Sequence, residues 1–168
     1  MKIVGFANIE NQVKIVLKSD SSLMVNRKPF FIPDWSEKVQ YVPCVVVRVC
    51  KLGKHIAPKF ASRYYDAIAP AVNIHAEDYR QQGDAVRAWA FDNSLPVGVF
   101  MPLDQYMPSD LIIDIDEAIC EISRLMTIRQ GDLIFIDRAI AAQDLIREEV
   151  IREEINGEEV LYCKIKVV

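Results

Sequence analysis

Short apolar runs broken by turn residues dominate this chain, and only a few stretches repeat with helical spacing. Lys2–Phe6 and Val13–Leu17 read as two strands, with Asn8–Asn11 as the turn between them. A polar segment, Lys18-Ser-Asp-Ser-Ser22, leads to an apolar patch at Leu23–Val25. Asn26-Arg27-Lys28-Pro29 is turn chemistry, and Phe30–Ile32 forms a further short strand. The run Cys44–Cys50, β-branched and interrupted only by Arg48, predicts a strand buried on both faces. Pro43 removes a ladder donor, which predicts an edge or bulged position at that point.

Beyond that strand, Phe60, Tyr64 and Ile68 recur at i, i+4 and i+8. This spacing predicts a helix over Ala57–Ala69, opened by Pro58 and ended by Pro70. Ala71–Ile74 is a short apolar strand, and Glu77–Asp84 is a turn or exposed helix. Arg87–Phe91 and Val97–Met101 are strand-like, and Leu111–Ile113 pairs briefly. A second helix follows Asp114, which has capping-box spacing to Glu117 and places Ile115, Ile119, Ile122 and Met126 on one face. Leu133–Ile136 is a compact buried strand. The tandem IREEV and IREEI from Ile146 to Ile155 fit neither period; Asn156-Gly157 favours a hairpin closing on Glu159–Val168, with a helix over part of Ala139–Glu148 as the rival.

With 168 residues, half of them apolar and a quarter charged, the chain supports one domain (residues 1–168) with a substantial core. At a net charge of −4 nothing is basic enough to suggest a nucleic-acid partner, and no apolar run reaches the eighteen residues of a membrane span. The N-terminal MKIVGFANIE reads as a strand rather than a signal peptide, and a cytoplasmic location is expected. Cys44, Cys50, Cys120 and Cys163 lie far apart in sequence and are read as small buried hydrophobes.

Several segments, in order along most of the chain, resemble the fumarylacetoacetate hydrolase family, in particular its shorter members similar to 2-keto-4-pentenoate hydratase and fumarylpyruvate hydrolase. Lys18-Ser-Asp-Ser-Ser-Leu23 is similar to F-x-K-P-x-S-A-L, and Lys51-Leu-Gly-Lys-His-Ile56 to R-L-G-K-N-I. Ala76-Glu77-Asp78 resembles A-R-D, and Phe91–Gly98 resembles F-D-G-x-x-P-L-G. The longest similarity is Ile122–Phe135, ISRLMTIRQGDLIF against ISRFMTLKPGDLIF. The resemblance implies a mixed β (α+β) fold with few helices, a β-sandwich or roll, generally dimeric. It also implies a divalent Mg²⁺ or Mn²⁺ that binds a 2-oxo or diketo acid and stabilises an enolate.

Carried over position by position, that site is largely missing. The metal-binding E-x-E falls on Val42-Pro43-Cys44, and the third acidic ligand falls on Asn73. The arginine of the same stretch is Glu77, the lysine of K-x-F-D is Trp89, and T-G-T-P reads Ile136-Asp137-Arg138-Ala139. The catalytic lid after the first strand is absent, since Ile9-Glu10 runs almost directly into Asn11-Gln-Val13. No metal cofactor is therefore expected: Val42, Cys44 and Asn73 offer at best one neutral amide oxygen to a hard cation.

Other candidate chemistry is sparse. His55 reads as a loop residue. His75 with Glu77 and Asp78 could form a replacement cluster or a base, although neighbours at i+2 and i+3 do not converge by themselves. Cys44 could be a nucleophile, but no base is identifiable. Trp89 fills the old pocket or stacks a ligand. Lys18 and Asp92 keep the family's residue type and could line a remnant cleft. Two functional classes follow: a non-catalytic binding or partner protein, homodimeric or paired with an intact homologue, or an enzyme with an altered site acting on a 2-oxo or diketo acid.

Overall fold

The computed structural model describes residues 1–168. Strands β1 (Ile3–Ile9) and β2 (Gln12–Lys18) form a hairpin closed by Glu10 and Asn11, both at positive φ, which is a type I′ turn. Then come β3 (Leu23–Met24), β4 (Phe30–Ile32) and the long β5 (Val39–Val49). β6 (Tyr65–Ala76) runs antiparallel to β5 along its whole length. Helices α1 (Glu77–Gln81) and α2 (Ala85–Trp89) follow, then β7 (Leu95–Pro96) and α3 (Ile115–Leu125). The chain closes through β8 (Leu133–Asp137), β9 (Gln143–Asp144), β10 (Val150–Ile155) and β11 (Glu158–Val167).

The main sheet has the order β2-β1-β8-β5-β6, with β9 also paired to β5. A second sheet orders β10-β11-β4, and β3 pairs β7. β5 is the centre, buried on both faces as its composition requires. Its Val45, Val47 and Val49 pack with Val4, Phe6, Ile134 and Ile136 under the apolar face of α3. Its Cys44 and Val46 face the other way, with Ile3, Ala7, Val16, Phe135 and Trp89. Asp114 caps α3 by accepting from the backbone N–H of Asp116 and Glu117. Asn156 and Gly157, both at positive φ, turn β10 into β11, so the hairpin forms and the rival helix over Ala139–Glu148 does not.

Five local expectations are corrected. Ala57–Ala69 is not a helix: a 3₁₀ segment over Pro58–Arg63 gives way to β6, and Ile68 is a strand residue. Pro70 does not end an element but sits inside β6. Its carbonyl accepts from Gly98 N–H on the side away from β5, so its missing donor costs no bond to β5. Pro43 likewise lies in the central strand, not at an edge. Its carbonyl accepts from Arg138 N–H, so its donor side faces the gap between β8 and β9. Arg87–Phe91 is not a strand: Asp84 accepts from Arg87 N–H at 3.1 Å and starts α2. Val97–Met101 makes only isolated bridges from Val97 and Met101 to β6, whereas Leu111 pairs with Arg138 as expected.

The parallel pair β1–β8 leaves no room for a side chain at position 5. A methyl group added to Gly5 would fall inside contact distance of the Phe135 carbonyl and ring. Gly5→Ala is therefore expected to lose at least the ~1–3 kcal/mol typical of overpacking. A urea midpoint equal to that of the native chain would contradict this packing.

Candidate functional site

Register alone gathers the positions of interest on one face of the main sheet. Val42 pairs with Asn73, Cys44 with both Ala71 and Asp137, and Gln40 with His75. These side chains meet at the end of the sheet where β6 runs into α1. Val42, His75, Glu77, Trp89 and Asp137 line a cavity of about 150 Å³, reached beside Asn8 and Gln40. The sequence singled out most of these residues but not Asp137 as a functional group. The signal available was a carboxylate at the end of a buried apolar strand.

Lys18 is the most constrained member. Its ammonium is buried and donates to the carbonyls of Ile74 (3.0 Å), Trp89 (3.0 Å) and Ser94 (3.2 Å), and to Ser94 Oγ (3.1 Å). It thus joins β2, β6, α2 and the start of β7. Burial draws its pKa down to about 7, while Cys44 and Asp137 pull it back up. Asp137 is its counterpart on β8. Burial raises that carboxyl to about 7, against the Asn73 amide donating at 2.9 Å, the Lys18 charge and the Asn8 backbone. Asn73 Oδ1 has no partner.

His75 and Glu77 do converge, contrary to what their spacing in sequence implied. β6 ends at Ala76 and α1 turns the chain back, bringing His75 Nε2 to 3.0 Å from Glu77 Oε2. Arg80 holds the same carboxylate in a fork at 2.7 and 2.6 Å and, with His75 and Gln81, keeps its pKa near 2 despite burial. Glu77 is therefore an acceptor, which makes Nε2 the protonated nitrogen. Burial lowers His75 to about 4 although Glu77 opposes it, so the ring is neutral and its Nδ1 has no partner. Asp78 turns away to Ser36 (2.6 Å) and the Glu37 N–H (3.0 Å). Trp89 stacks on His75 with ring centroids 4.9 Å apart.

The remaining candidates separate from this cluster. Cys44 is buried, and burial together with Asp137 pushes its thiol well above the ordinary range, which opposes a role as nucleophile. Asp92 is exposed beside a different recess, with Phe31, Pro33, Trp35 and Phe91. His55 is an exposed loop residue at positive φ.

Neither a family model nor a curated protein sequence matches this chain. Solved structures do match it. Fumarylpyruvate hydrolase from Pseudomonas aeruginosa, determined in complex with Mn²⁺ and pyruvate, superposes with a TM-score of 0.83 at 18% identity, over 99% of this chain and 89% of that one. 2-Hydroxyhepta-2,4-diene-1,7-dioate isomerase from Mycobacterium marinum gives 0.85 at 19%, over 99% and 74%. A protein from Yersinia pestis CO92 assigned to the fumarylacetoacetate hydrolase family gives 0.81 at 20%, over 98% and 92%. The chain therefore has the α+β fold of the fumarylacetoacetate hydrolase-like structures, and no helix in it is long and apolar enough to cross a membrane.

The side chains do not fit the divalent metal that this fold family implies. No three His, Cys, Asp or Glu groups converge where an ion could sit. The positions that the resemblance aligns with ligands hold an aliphatic group, a protonated thiol and an amide already donating to Asp137. Mg²⁺ requires near-octahedral oxygen ligands and dehydrates reluctantly.

Asp137 makes this arrangement testable through pH. A carboxyl whose folded pKa is raised from 3.8 to about 7 contributes stability that is present below pH 3.8 and lost as pH rises towards 7. Asp137→Asn removes that loss. Its stability relative to the native chain is expected to rise by on the order of 2 kcal/mol between pH 5 and 7. A difference independent of pH would contradict the burial of an ionisable group there.

Proposed function

We propose that this chain is a non-catalytic derivative of the fumarylacetoacetate hydrolase fold, a cytoplasmic binding or partner protein that works as a homodimer or beside an intact homologue and uses no metal. The observation that supports this reading is that the charged groups gathered where the resemblance puts the metal are already committed to partners within the chain. Lys18 is consumed by backbone oxygens, Asn73 by Asp137, and Glu77 by Arg80 and His75. The two-residue turn Glu10–Asn11, in place of a lid, supports it as well. Enolate chemistry needs an electrophile, a positioned base and exclusion of water.

A second reading is an altered-site hydrolase, hydratase or decarboxylase for a 2-oxo or diketo acid. It is favoured by one feature: Lys18 and Asp137 are both held near pH 7, where acid–base groups are most effective. Pyruvate in the Pseudomonas aeruginosa structure indicates the ligand class to try first.

Each missing element of the family chemistry is commonly worth two or more powers of ten in rate, on the order of 3 kcal/mol. No turnover of acylpyruvates, oxaloacetate or 2-hydroxy-dienoates is therefore expected with Mg²⁺ or Mn²⁺ present. Turnover above roughly 0.1 per second, against about ten for a typical enzyme, would overturn the first reading in favour of the second. If so, loss on His75→Ala or Cys44→Ala would locate the rebuilt site.

Restoring the carboxylates gives a complementary expectation. Val42→Glu, Cys44→Glu and Asn73→Asp together should lower stability, because three carboxylates without a cation repel one another. The same triple variant should gain a Tm that rises with Mn²⁺ concentration, which the native chain lacks. An equal Mn²⁺ response in both proteins would show that these positions are not where a metal binds.

A further inference from the structure

β2 is the free edge of the main sheet, and its bonding pattern can be read from the hairpin. In a two-residue hairpin the residues flanking the turn, here Ile9 and Gln12, form a hydrogen-bonded pair, and bonded pairs then alternate along the ladder. Lys14, Val16 and Lys18 thus direct their backbone groups towards β1. Val13, Ile15 and Leu17 direct theirs outward. No backbone hydrogen bond in the structure meets them there.

The same three residues carry exposed apolar side chains: Val13 is 48% exposed, Ile15 39% and Leu17 58%. They share a sheet face with Val4 and Phe6, whose side chains belong to the core under α3. A groove of about 710 Å³ runs along this edge. The consecutive residues Lys14–Ser19 line one side, and Asp84–Val86 and Ala88–Ala90 at α2 line the other, with Val86 exposed. Consecutive residues point to opposite faces of a strand, so a groove lined by six in a row follows the edge itself. Of the usual protections of an edge, proline and a bulge are absent, and the exposed charge of Lys14 lies on the opposite face from the apolar stripe.

We propose that this edge pairs with β2 of a second copy of the chain, antiparallel about a two-fold axis at Ile15, which joins the two main sheets into one. The proposal rests on the homodimer reading above and adds its location and register. Centred on Ile15, the pairing sets Val13 opposite Leu17, Ile15 opposite Ile15 and Leu17 opposite Val13. All three pairs match outward donors with outward acceptors, giving six backbone hydrogen bonds and one apolar stripe. Lys14 meets Val16, and Gln12 meets Lys18. The neighbouring two-fold registers are disfavoured by charge: centring on residue 14 opposes Lys14 to Lys14, and centring on residue 16 opposes Lys14 to Lys18. Registers shifted by one residue would oppose outward groups to inward ones.

Ile15→Pro tests this selectively, because the lost N–H points outward and the bonds to β1 are untouched. In light scattering the native chain is expected at twice its chain mass at high micromolar concentration. Ile15→Pro and Leu17→Glu should each halve that mass while melting cooperatively as folded proteins. Opposed Ile15 residues would have Cα atoms about 5.5 Å apart, within disulfide range. Ile15→Cys, made together with Cys50→Ser and Cys120→Ser because those two thiols are half-buried, should therefore form a covalent dimer on oxidation, while the Cys50→Ser, Cys120→Ser chain alone should not. A dimer that survives both Ile15→Pro and Leu17→Glu overturns this interface but leaves the homodimer standing. A monomeric native chain overturns both, whatever other strand the edge accepts.

Discussion

A buried lysine ammonium holds this fold in its particular form. Taking a charge out of water costs several kcal/mol unless hydrogen bonds replace the lost hydration. Lys18 recovers them only if β6, α2 and β7 all stand where Ile74, Trp89 and Ser94 can offer their oxygens. α2 has five residues and β7 two, too short to be stable as isolated elements. Their placement depends on this shared donor and on the apolar contacts of Ala88, Trp89 and Leu95 with β1, β2 and β5.

The same constraint shapes the pocket. With Lys18 committed to backbone oxygens, the nearest carboxyl, Asp137, is left with an amide donor and a long-range charge, and burial keeps its proton affinity high. Glu77 would be equally unfavourable if Arg80 did not hold it in a fork and His75 did not donate from the side. The polar groups gathered here are turned on one another. Only Asn73 Oδ1 and His75 Nδ1 among them lack partners.

Much of this architecture was legible in the chain. The I′ turn at Asn156-Gly157, the Asp114 cap and the doubly buried β5 follow from local chemistry, and motifs such as Ile122–Phe135 carry the fold class. The misreadings share a cause: residues whose meaning depends on direction. Pro70 looked like a break and Pro43 like the mark of an edge or bulge because a sequence does not say which side of a strand a missing N–H faces. Phe60, Tyr64 and Ile68 matched a helical period by coincidence across the junction of a 3₁₀ segment and a strand. The convergence of His75 with Glu77 required a strand to end between them, and Asp137 became notable only once β8 lay beside β5.

As proposed above, the cluster around Lys18 and Asp137 stands in place of a divalent-metal site. Titration of the purified chain with Mn²⁺, followed by the loss of the free-ion electron paramagnetic resonance signal, tests it without reference to any substrate. The account predicts no stoichiometric uptake at micromolar Mn²⁺ between pH 6 and 8. One Mn²⁺ bound per chain, released by the Asp137→Asn substitution, would contradict it.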